Sequence, residues 1–281
     1  VFKKAYELQR ECGLDVKLLK PDDISQYAPH VVTEDIKLAT FCPDDGLGDP
    51  NEFLAAYEKG CRDKGVEIEL EAEVTGFDIQ SGKIAGVKTR KGDLAAPLVI
   101  NAAGAWAGEV GKLMKADVRV KPYPRMCVTT GELDFVRPFF PMVVDVASGL
   151  YCHKESKGML LGWADKDQKS TFDISNDPDY TDNILMRALE RIPQLETAEV
   201  ANQWTGLYET TPDHRAIIGW EPSVEGVLHV TGFSGHGFMH APAAGIVAAQ
   251  LATGRETSID IADLSPKRFA RDELVEETNV I

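Results

Sequence analysis

Two hydrophobic patterns alternate along the chain, and each predicts its own kind of structure. Near the beginning, apolar side chains recur every three or four positions, which is the spacing of an amphipathic helix. This spacing predicts a helix over residues 2–12 that ends at Gly13, then a short strand and a proline-led turn over residues 18–24. A second helix is expected with Asn51 as its N-cap and Gly65 just past its end. The apolar face of this second helix would consist of Phe53, Leu54, Tyr57 and Cys61.

Farther along, apolar and polar residues alternate, which is typical of half-buried strands. Strands are expected over residues 66–70, 74–79 and 84–89. The last two should form a hairpin, because Ser81 and Gly82 between them favour a tight turn. The apolar run of residues 98–100 predicts a buried parallel strand, which leads through small residues into a helix reaching Leu113. A strand, a tight turn and a helix in this order form the unit of nucleotide-binding α/β domains.

The pattern changes over residues 118–208, where short alternating strands surround one helix and indicate an antiparallel α+β layer. The strands are expected over residues 126–130, 142–146, 150–153, 159–163 and 203–208. Thr181 or Asp182 would cap the helix, whose inner face would contain Ile184, Leu185, Ala188, Leu189 and Ile192. The α/β pattern then returns with strands over residues 216–218 and 227–230, a glycine loop, and a helix over residues 238–253. Neither of the two patterns is therefore continuous in sequence.

Composition and charge exclude several classes of protein. The 281 residues carry a formal charge of −15, which disfavours binding to nucleic acid or to an anionic membrane surface. No apolar run approaches the roughly 18 residues of a membrane-spanning helix. The five cysteines form no C-x-x-C pair, which favours a reduced, cytoplasmic chain without a metal site. Val1 leads directly into a helical pattern without signal-peptide features, so we expect the chain to begin inside a larger protein.

The glycine loop is the most informative segment of the sequence. An apolar strand ends at Thr231, three glycines follow within six residues, and a helix begins at once. Glycines permit close backbone approach, and the start of a helix offers unpaired N–H groups to an anion. The alternative is an ordinary link between a strand and a helix, in which His236 and His240 are packing or surface residues.

Three motifs in register carry a resemblance to a known family. They are residues 99–106 (Val-Ile-Asn-Ala-Ala-Gly-Ala-Trp), Thr211-Pro212-Asp213 with Ile217-Ile218-Gly219, and residues 232–238 (Gly-Phe-Ser-Gly-His-Gly-Phe). The sequence resembles the D-amino-acid-oxidase-like family of FAD-dependent amine oxidoreductases, in its sarcosine oxidase, dimethylglycine dehydrogenase and proline dehydrogenase β-subunit branch. The G-x-G-x-x-G fingerprint with which this family binds the FAD pyrophosphate is absent from the chain.

The resemblance implies a mixed α+β and α/β fold in which two domains interleave. Residues 46–117 and 210–281, the latter including a C-terminal tail, would form an incomplete FAD-binding, Rossmann-like domain. Residues 118–209 would form the antiparallel sheet of a substrate domain, to which residues 1–45 contribute a segment and a linker.

The resemblance also implies where FAD lies. Val74 would contact the adenine, and Ala103, Gly104 and Trp106 would lie near the ADP portion. The alternatives are an ordinary strand residue for Val74 and a packing aromatic residue for Trp106. The pyrimidine end of the flavin ring would meet the glycine loop through Gly232, Phe233, Ser234, Gly235, His236, Gly237, Phe238 and Met239.

The substrate-facing candidates are Tyr208, Arg125 and Met239. In the resemblance Tyr208 faces the substrate, whereas the alternative is a core tyrosine in a strand. Gly206 replaces the cysteine to which some relatives attach flavin, so FAD would be bound non-covalently. Met239 and Leu160 stand where monomeric sarcosine oxidases have lysines, which favours a dehydrogenase that passes electrons to a partner subunit. Arg125 is then a candidate for holding a substrate carboxylate, although a structural role in its strand is an equal alternative.

The favoured function is FAD-dependent oxidation of a secondary amine or small amino acid, such as sarcosine, dimethylglycine or proline, by hydride transfer to flavin N5. An oligomer is compatible with this reading. One alternative is a non-catalytic subunit whose flavin site is incomplete. Another is a flavoenzyme of the same fold with a different substrate, such as glycerol 3-phosphate, for which the sequence offers no recognisable basic pocket.

Overall fold

The computed structural model describes residues 2–271, 274, 275 and 277. The helices are α1 (Phe2–Glu11), α2 (Pro21–Ile24), α3 (Pro50–Asp63), α4 (Ala107–Leu113), α5 (Pro178–Arg191), α6 (Gly237–Ala252) and α7 (Arg268–Arg271). The strands are β1 (Lys17–Leu19), β2 (Ala39–Phe41), β3 (Val74–Gln80), β4 (Lys83–Thr89), β5 (Gly92–Ala95), β6 (Val99–Asn101), β7 (Lys121–Thr130), β8 (Val143–Asp145), β9 (Leu150–Glu155), β10 (Gly158–Trp163), β11 (Val200–Thr210), β12 (Ile217–Trp220) and β13 (Val227–Thr231). In this part of the chain, no helix has the length and apolar character needed to cross a membrane.

The largest layer is a five-stranded antiparallel sheet with the strand order β11-β7-β10-β9-β8. Residues of β7 alternate between its two faces, as the period of two requires. Met126 and Val128 are buried in a core that includes Ile184 of α5. The residues that alternate with them along β7 project from the opposite face, which we call the site face. It carries Tyr123, Arg125 and Cys127 of β7, Gly206 and Tyr208 of β11, Leu160 and Gly162 of β10, and Tyr151 of β9.

The N-terminal segment packs against this sheet rather than standing apart from it. β1 and β2 pair antiparallel, and Leu19 and Val31 join the same hydrophobic core as Met126. The buried guanidinium of Arg191, in the last turn of α5, contacts Asp35 at 2.8 Å and Asp145 at 2.8 Å. These contacts tie the segment that follows α2 to both α5 and the edge strand β8.

A second sheet has the order β12-β13-β6 and supports the glycine loop. β13 runs parallel to β6, with Val227 opposite Val99, and antiparallel to β12. This pair confirms that β6 is a parallel strand, and α4 follows it after a short turn, as expected for a strand–turn–helix unit. The predicted burial of β6 was wrong, because β6 lies at the sheet edge in the described part of the chain and Ile100 is 42% exposed.

The third sheet contains β3, β4 and β5. The β3–β4 hairpin turns at Ser81 and Gly82, both with positive φ, as predicted. The predicted strand over residues 66–70 was wrong: these residues form no ladder with any described strand, and Val66 and Leu70 are exposed. Alternating polarity produces an extended segment, but a strand also needs a neighbour with which to pair.

Two helix starts differ from the predictions for one shared reason. The N-cap of α3 is Asp49, whose carboxylate accepts a hydrogen bond from the amide of Asn51 at 2.7 Å, so Asn51 is not the cap. The N-cap of α5 is Asp177 rather than Thr181 or Asp182. In both helices a proline occupies the first position, where its missing N–H costs no hydrogen bond and its fixed φ suits the helix.

The observed fold is the mixed α/β and antiparallel architecture that was expected, whereas the division into four sequence segments stays a prediction. Two helices lack the burial that their composition predicts. α3 contains no buried residue. α6 is apolar on nearly every side, yet Phe238, Met239 and Ile246 are exposed. The rings of Phe53 in α3 and Phe238 in α6 meet edge to face at 5.3 Å.

Candidate functional site

The glycine loop brings the start of α6 to the site face of the large sheet. Gly232 and Gly235 have φ values of 75° and 97°, so the loop uses a left-handed backbone that favours glycine. The first hydrogen bond of α6 is donated by His240 to the carbonyl of His236 at 3.2 Å. The N–H groups of residues 237–239 precede that bond and form the positive end of the helix. The loop therefore has the geometry of an anion-accepting helix start.

Ser234 holds the loop in place from below. Its side chain is 1% exposed, and its hydroxyl donates to the carbonyl of Gly232 at 3.1 Å and accepts from the amide of Thr211 at 3.3 Å. Thr211 begins the Thr-Pro-Asp motif, in which Asp213 forms a buried two-point ion pair with Arg268 at 2.7 and 3.0 Å. Burial alone would raise the pKa of Asp213, but the guanidinium of Arg268 holds it below its ordinary value.

Tyr208, Gly235 and Arg125 meet at one end of the site face. A Cβ atom at Gly235 would lie 2.7 Å from Cε2 of Tyr208, so the loop backbone packs directly on that ring. The guanidinium carbon of Arg125 lies 5.4 Å from the ring centroid of Tyr208. Arg125 is paired across the strands with Gly206, where a Cβ would have no atom within 4 Å. Tyr208, Gly235 and Arg125, which were separate candidates in the sequence, are thus neighbours beside the open space above Gly206.

The polar atoms of Arg125 are only partly engaged. Nη1 donates to the carbonyl of Pro124 at 3.1 Å. Nε is buried and has no hydrogen-bond partner among the described residues. A buried guanidinium nitrogen without a partner is costly, which makes Arg125 a candidate to bind a polar group of a ligand or a water.

Two neighbours of Tyr208, Tyr151 and Cys127, were not predicted from the sequence. The hydroxyl of Tyr151 and Sγ of Cys127 are 3.5 Å apart on the site face. Burial raises the pKa of Tyr151, of Cys127 and of Tyr208, and the neighbouring Cys127 adds to the effect on Tyr208. All three therefore keep their protons at neutral pH, and Arg125 supplies the positive charge of this group. Alternation along β7 and β9 was the available signal, but register decides which residues meet.

The turn after β6 approaches the glycine loop from the other side. Gly104 has a φ of 54°, and its carbonyl accepts a hydrogen bond from the hydroxyl of Thr231 at 3.4 Å. Ala103 precedes the single helical turn Gly104–Trp106. Trp106 stacks on Phe172 with ring centroids 5.5 Å apart but remains 56% exposed. The turn thus lies beside the loop, and the ring of Trp106 has a packing partner, while the prediction that these residues lie near the ADP portion stays a prediction.

A buried chain of hydrogen bonds fixes this turn. Oδ1 of Asn101 accepts from the amide of Ala103 at 3.3 Å, and Nδ2 donates to the carbonyl of Ala107 at 3.2 Å, which sets the orientation of the amide. Nδ2 also lies 3.3 Å from Nδ1 of His229, which is then an acceptor. The ring N–H of His229 is therefore on Nε2, 3.0 Å from the carboxylate of Glu221.

Other candidates lie farther from this group or play different local roles. Val74 begins β3 in the separate third sheet, where it pairs with Thr89. Met239 is 68% exposed in the first turn of α6, and Leu160 lies half-buried on the site face opposite Thr129 and His153. Phe233 and His236 face His240, with the two imidazole rings stacked at 5.8 Å. No group of three or more metal-ligating side chains lies together in the described residues.

Comparisons with known proteins agree with this geometry. The family described as FAD dependent oxidoreductase matches residues 1–251. FAD-dependent oxidoreductase domain-containing protein 1 of Xenopus laevis is 28% identical over 325 aligned residues, covering 100% of this chain and 64% of its own length. Mitochondrial dimethylglycine dehydrogenase of Mus musculus is 26% identical, covering 90% of this chain and 31% of its own length. The chain thus spans less than two thirds of these relatives.

A solved structure extends the match to three dimensions. The crystal structure of L-proline dehydrogenase from P. horikoshii superposes with a TM-score of 0.91 at 30% sequence identity, covering 98% of this chain and 74% of that one. With a family match over most of its length and a solved relative of the same fold, the chain belongs to the FAD dependent oxidoreductase family.

Proposed function

We propose that this chain forms the substrate-binding part, and a portion of the flavin-binding part, of a dehydrogenase that oxidises a secondary amine or small amino acid. The observation that carries the proposal is the meeting of Gly235, Tyr208 and Arg125 beside an open space on the site face. Relatives named for dimethylglycine, sarcosine and proline dehydrogenation support the substrate class.

The residues around that space fit a planar, negatively polarised ring. The position above Gly206 is empty to 4 Å, and a Cβ at Gly235 would collide with the ring of Tyr208 that borders it. The N–H groups at the start of α6 suit the oxygen-rich edge of a flavin. The buried Nε of Arg125 has no hydrogen-bond partner among the described residues. Ala103, Gly104 and Trp106 would hold the ADP portion and Val74 the adenine. Because Gly206 has no thiol, FAD would be held without a covalent bond.

When bound, FAD would supply the chemistry by taking up a hydride from the substrate carbon next to nitrogen, leaving an imine that water hydrolyses. The residues of this chain would position the substrate. Arg125 would bind the substrate carboxylate, and the ring of Tyr208 would form one wall. Since the raised pKa of Tyr208 keeps its phenol protonated, Tyr208 acts as a hydrogen-bond donor and not as a base. The substrate would therefore react as the free amine.

Two residues, Leu160 and Met239, bear on which electron acceptor would reoxidise the reduced flavin. Leu160 and Met239 stand at the positions where the resemblance places the two lysines of monomeric sarcosine oxidases. Without a lysine at either position, the reduction of oxygen to its anionic product would lack the cation that the resemblance places there. We therefore propose that electrons pass to a partner protein or carrier.

The flavin site would be completed by a further α/β unit. The phosphate-binding fingerprint is absent from the sequence, and the apolar side chains of α3 and α6 are exposed. We expect the 281-residue chain alone to bind FAD weakly or not at all. Fluorescence titration with FAD tests this, and submicromolar affinity would show that no further unit is needed.

The decisive experiment uses the full-length protein. Its visible spectrum is recorded, and the protein is then mixed anaerobically with sarcosine, dimethylglycine, proline or glycerol 3-phosphate. We expect bleaching of the flavin band by at least one of the amino acids. An Arg125→Met variant should raise KM for that substrate more than it lowers kcat. Arg187→Met, at an arginine that stacks on Trp163 of the same sheet, is the matched control.

The other outcomes each select an alternative. A protein without bound flavin would favour the non-catalytic subunit. Bleaching by glycerol 3-phosphate alone would favour the other substrate class.

A further inference from the structure

Glu209, the residue after Tyr208, holds the glycine loop with its side chain. Its Oε2 accepts hydrogen bonds from the hydroxyl of Thr231 at 2.8 Å and from the amide of Gly232 at 3.1 Å. Its Oε1 accepts from the amide of Phe233 at 3.3 Å. The backbone carbonyl of Glu209 also accepts from the amide of Ser234 at 3.1 Å. One residue at the end of β11 thus receives four donors from four consecutive residues of the loop.

The carboxylate stands where three segments of the site meet. A Cβ at Gly104 would lie 3.8 Å from Oε2, and a Cβ at Gly237 would lie 3.9 Å from Oε1. Thr231, which donates to Glu209, also reaches the carbonyl of Gly104. Glu209 therefore links the end of β11, the glycine loop and the turn after β6, while remaining only half-buried.

This arrangement has two physical consequences. First, the amides of Gly232 and Phe233 are occupied by a resident anion, so a bound ligand meets the N–H groups farther along, at the start of α6. Second, the carboxylate places a fixed negative charge beside the positive end of that helix. A nearby negative charge opposes the gain of further negative charge by any group bound there.

We propose that Glu209 is a positioning residue of the flavin site, which orders the glycine loop by its hydrogen bonds and by its charge makes the bound flavin harder to reduce. The part concerning flavin rests on the proposed function. The part concerning the loop rests on the observed contacts alone. The two parts therefore need separate measurements.

Three variants of the full-length protein separate geometry from charge. Glu209→Gln keeps the length and one oxygen acceptor but removes the charge. Glu209→Asp keeps the charge but is one methylene too short to reach all three side-chain donors. Glu209→Ala removes both. Glu190→Gln, on the exposed side of α5, is the matched control for loss of one negative charge.

The first measurement is hydrogen exchange at the amides of Gly232 and Phe233 in protein stripped of flavin. We expect exchange to accelerate at least about tenfold in Glu209→Ala and Glu209→Asp, and less in Glu209→Gln, since a lost hydrogen bond of about 1.4 kcal/mol corresponds to a factor of ten. Unchanged exchange in all three variants would overturn the loop assignment, whether or not the protein proves to bind flavin.

The second measurement is the flavin midpoint potential of the loaded protein by spectroelectrochemical titration. We expect the potential to rise in Glu209→Gln and to stay near that of the wild type in Glu209→Asp and in the control. A potential that is unchanged in Glu209→Gln would overturn the charge assignment. Absence of bound flavin from the wild type would instead count against the proposed function, and the exchange result would still stand.

Discussion

The ring of Tyr208 occupies the space into which a side chain at Gly235 would point. The Cβ of such a side chain would approach Cε2 of Tyr208 to 2.7 Å, closer than two carbon atoms can stand. Gly235 also has a φ of 97°, which L-residues rarely adopt. The sequence suggested that this glycine lets the backbone approach a flavin. The structure adds that it lets the loop approach Tyr208, so the loop and the candidate substrate wall fix each other's position.

Replacing Gly235 should therefore disturb both the glycine loop and the ring of Tyr208. We expect Gly235→Ala to destabilise the fold by about 1–3 kcal/mol, because the methyl group overpacks against Tyr208 and the backbone is strained. Bound flavin should be lost in the full-length protein. Urea unfolding and the flavin absorbance measure the two effects. Gly254→Ala is the control, since that glycine has a φ of 68° but no atom within 4 Å of the added Cβ. Equal losses in both variants would show that backbone strain alone is responsible.

Removing only the hydroxyl of Tyr208 tests its role as a hydrogen-bond donor to substrate. We expect Tyr208→Phe to lower kcat/KM for flavin reduction roughly two- to tenfold, because one hydrogen bond contributes about 0.5–1.5 kcal/mol. Stopped-flow reduction under anaerobic conditions gives the rate. Tyr6→Phe, at a half-buried tyrosine of α1, should leave it unchanged. If Tyr208→Phe reduces as fast as the wild type, the tyrosine has a structural role only.

The reaction with oxygen tests the assignment as a dehydrogenase. We expect reduced enzyme mixed with air-saturated buffer to reoxidise slowly, and an artificial electron acceptor to reoxidise it faster. Leu160→Lys should accelerate the reaction with oxygen, because it adds a cation to the site face at the position where the resemblance places a lysine. Leu94→Lys, on the exposed strand β5, is the matched control. Reoxidation of the wild type as fast as its reduction by substrate would restore the oxidase reading.

The buried Glu221 should make stability depend on pH. Burial alone would raise its pKa, but hydrogen bonds from His229 and Ser223 lower it to about 2 from an ordinary value of 4.5. Because the folded state binds the proton less tightly than the unfolded state, the stabilisation is present above pH 4.5. It is lost as the pH falls towards 2.

We expect Glu221→Gln to be less stable than the wild type at pH 7, by on the order of 1–3 kcal/mol, with the difference shrinking below pH 4.5. Urea unfolding at several pH values measures it, and Glu190→Gln should follow the wild-type profile. A constant difference at all pH values would remove the carboxylate of Glu221 as the cause.

Local signals were sufficient for much of the fold. The β3–β4 hairpin follows from Ser81 and Gly82, and the α5 core face from the spacing of Ile184 and Ala188. The two helix starts at Asp49 and Asp177 were also predictable, since the Asp-Pro pair marks the N-cap and first helical position. The error over residues 66–70 is of another kind, because alternation shows that a segment has two faces and not that a partner strand lies beside it.

In the candidate site, too, local motifs were visible in the sequence, whereas contacts that depend on the fold were not. The glycine loop, Tyr208 and Arg125 were each visible as local motifs or through a resemblance. Glu209 was not, because its donors lie 22 to 24 positions away and only the fold brings them together. Tyr151 was missed for the same reason, since its contact with Cys127 depends on the register of two strands with respect to β10.

The edge strand β6 has a consequence for handling the protein. In the described part of the chain, β6 pairs with β13 on one side, and its other side presents unpaired backbone N–H and C=O groups next to the exposed Ile100. Such an edge is a template on which a strand from another molecule can add. When the chain is produced without a covering element, copies should add to one another through this edge and the apolar surface of α6. We therefore expect the isolated chain to aggregate as its concentration rises, at temperatures below the one at which it unfolds.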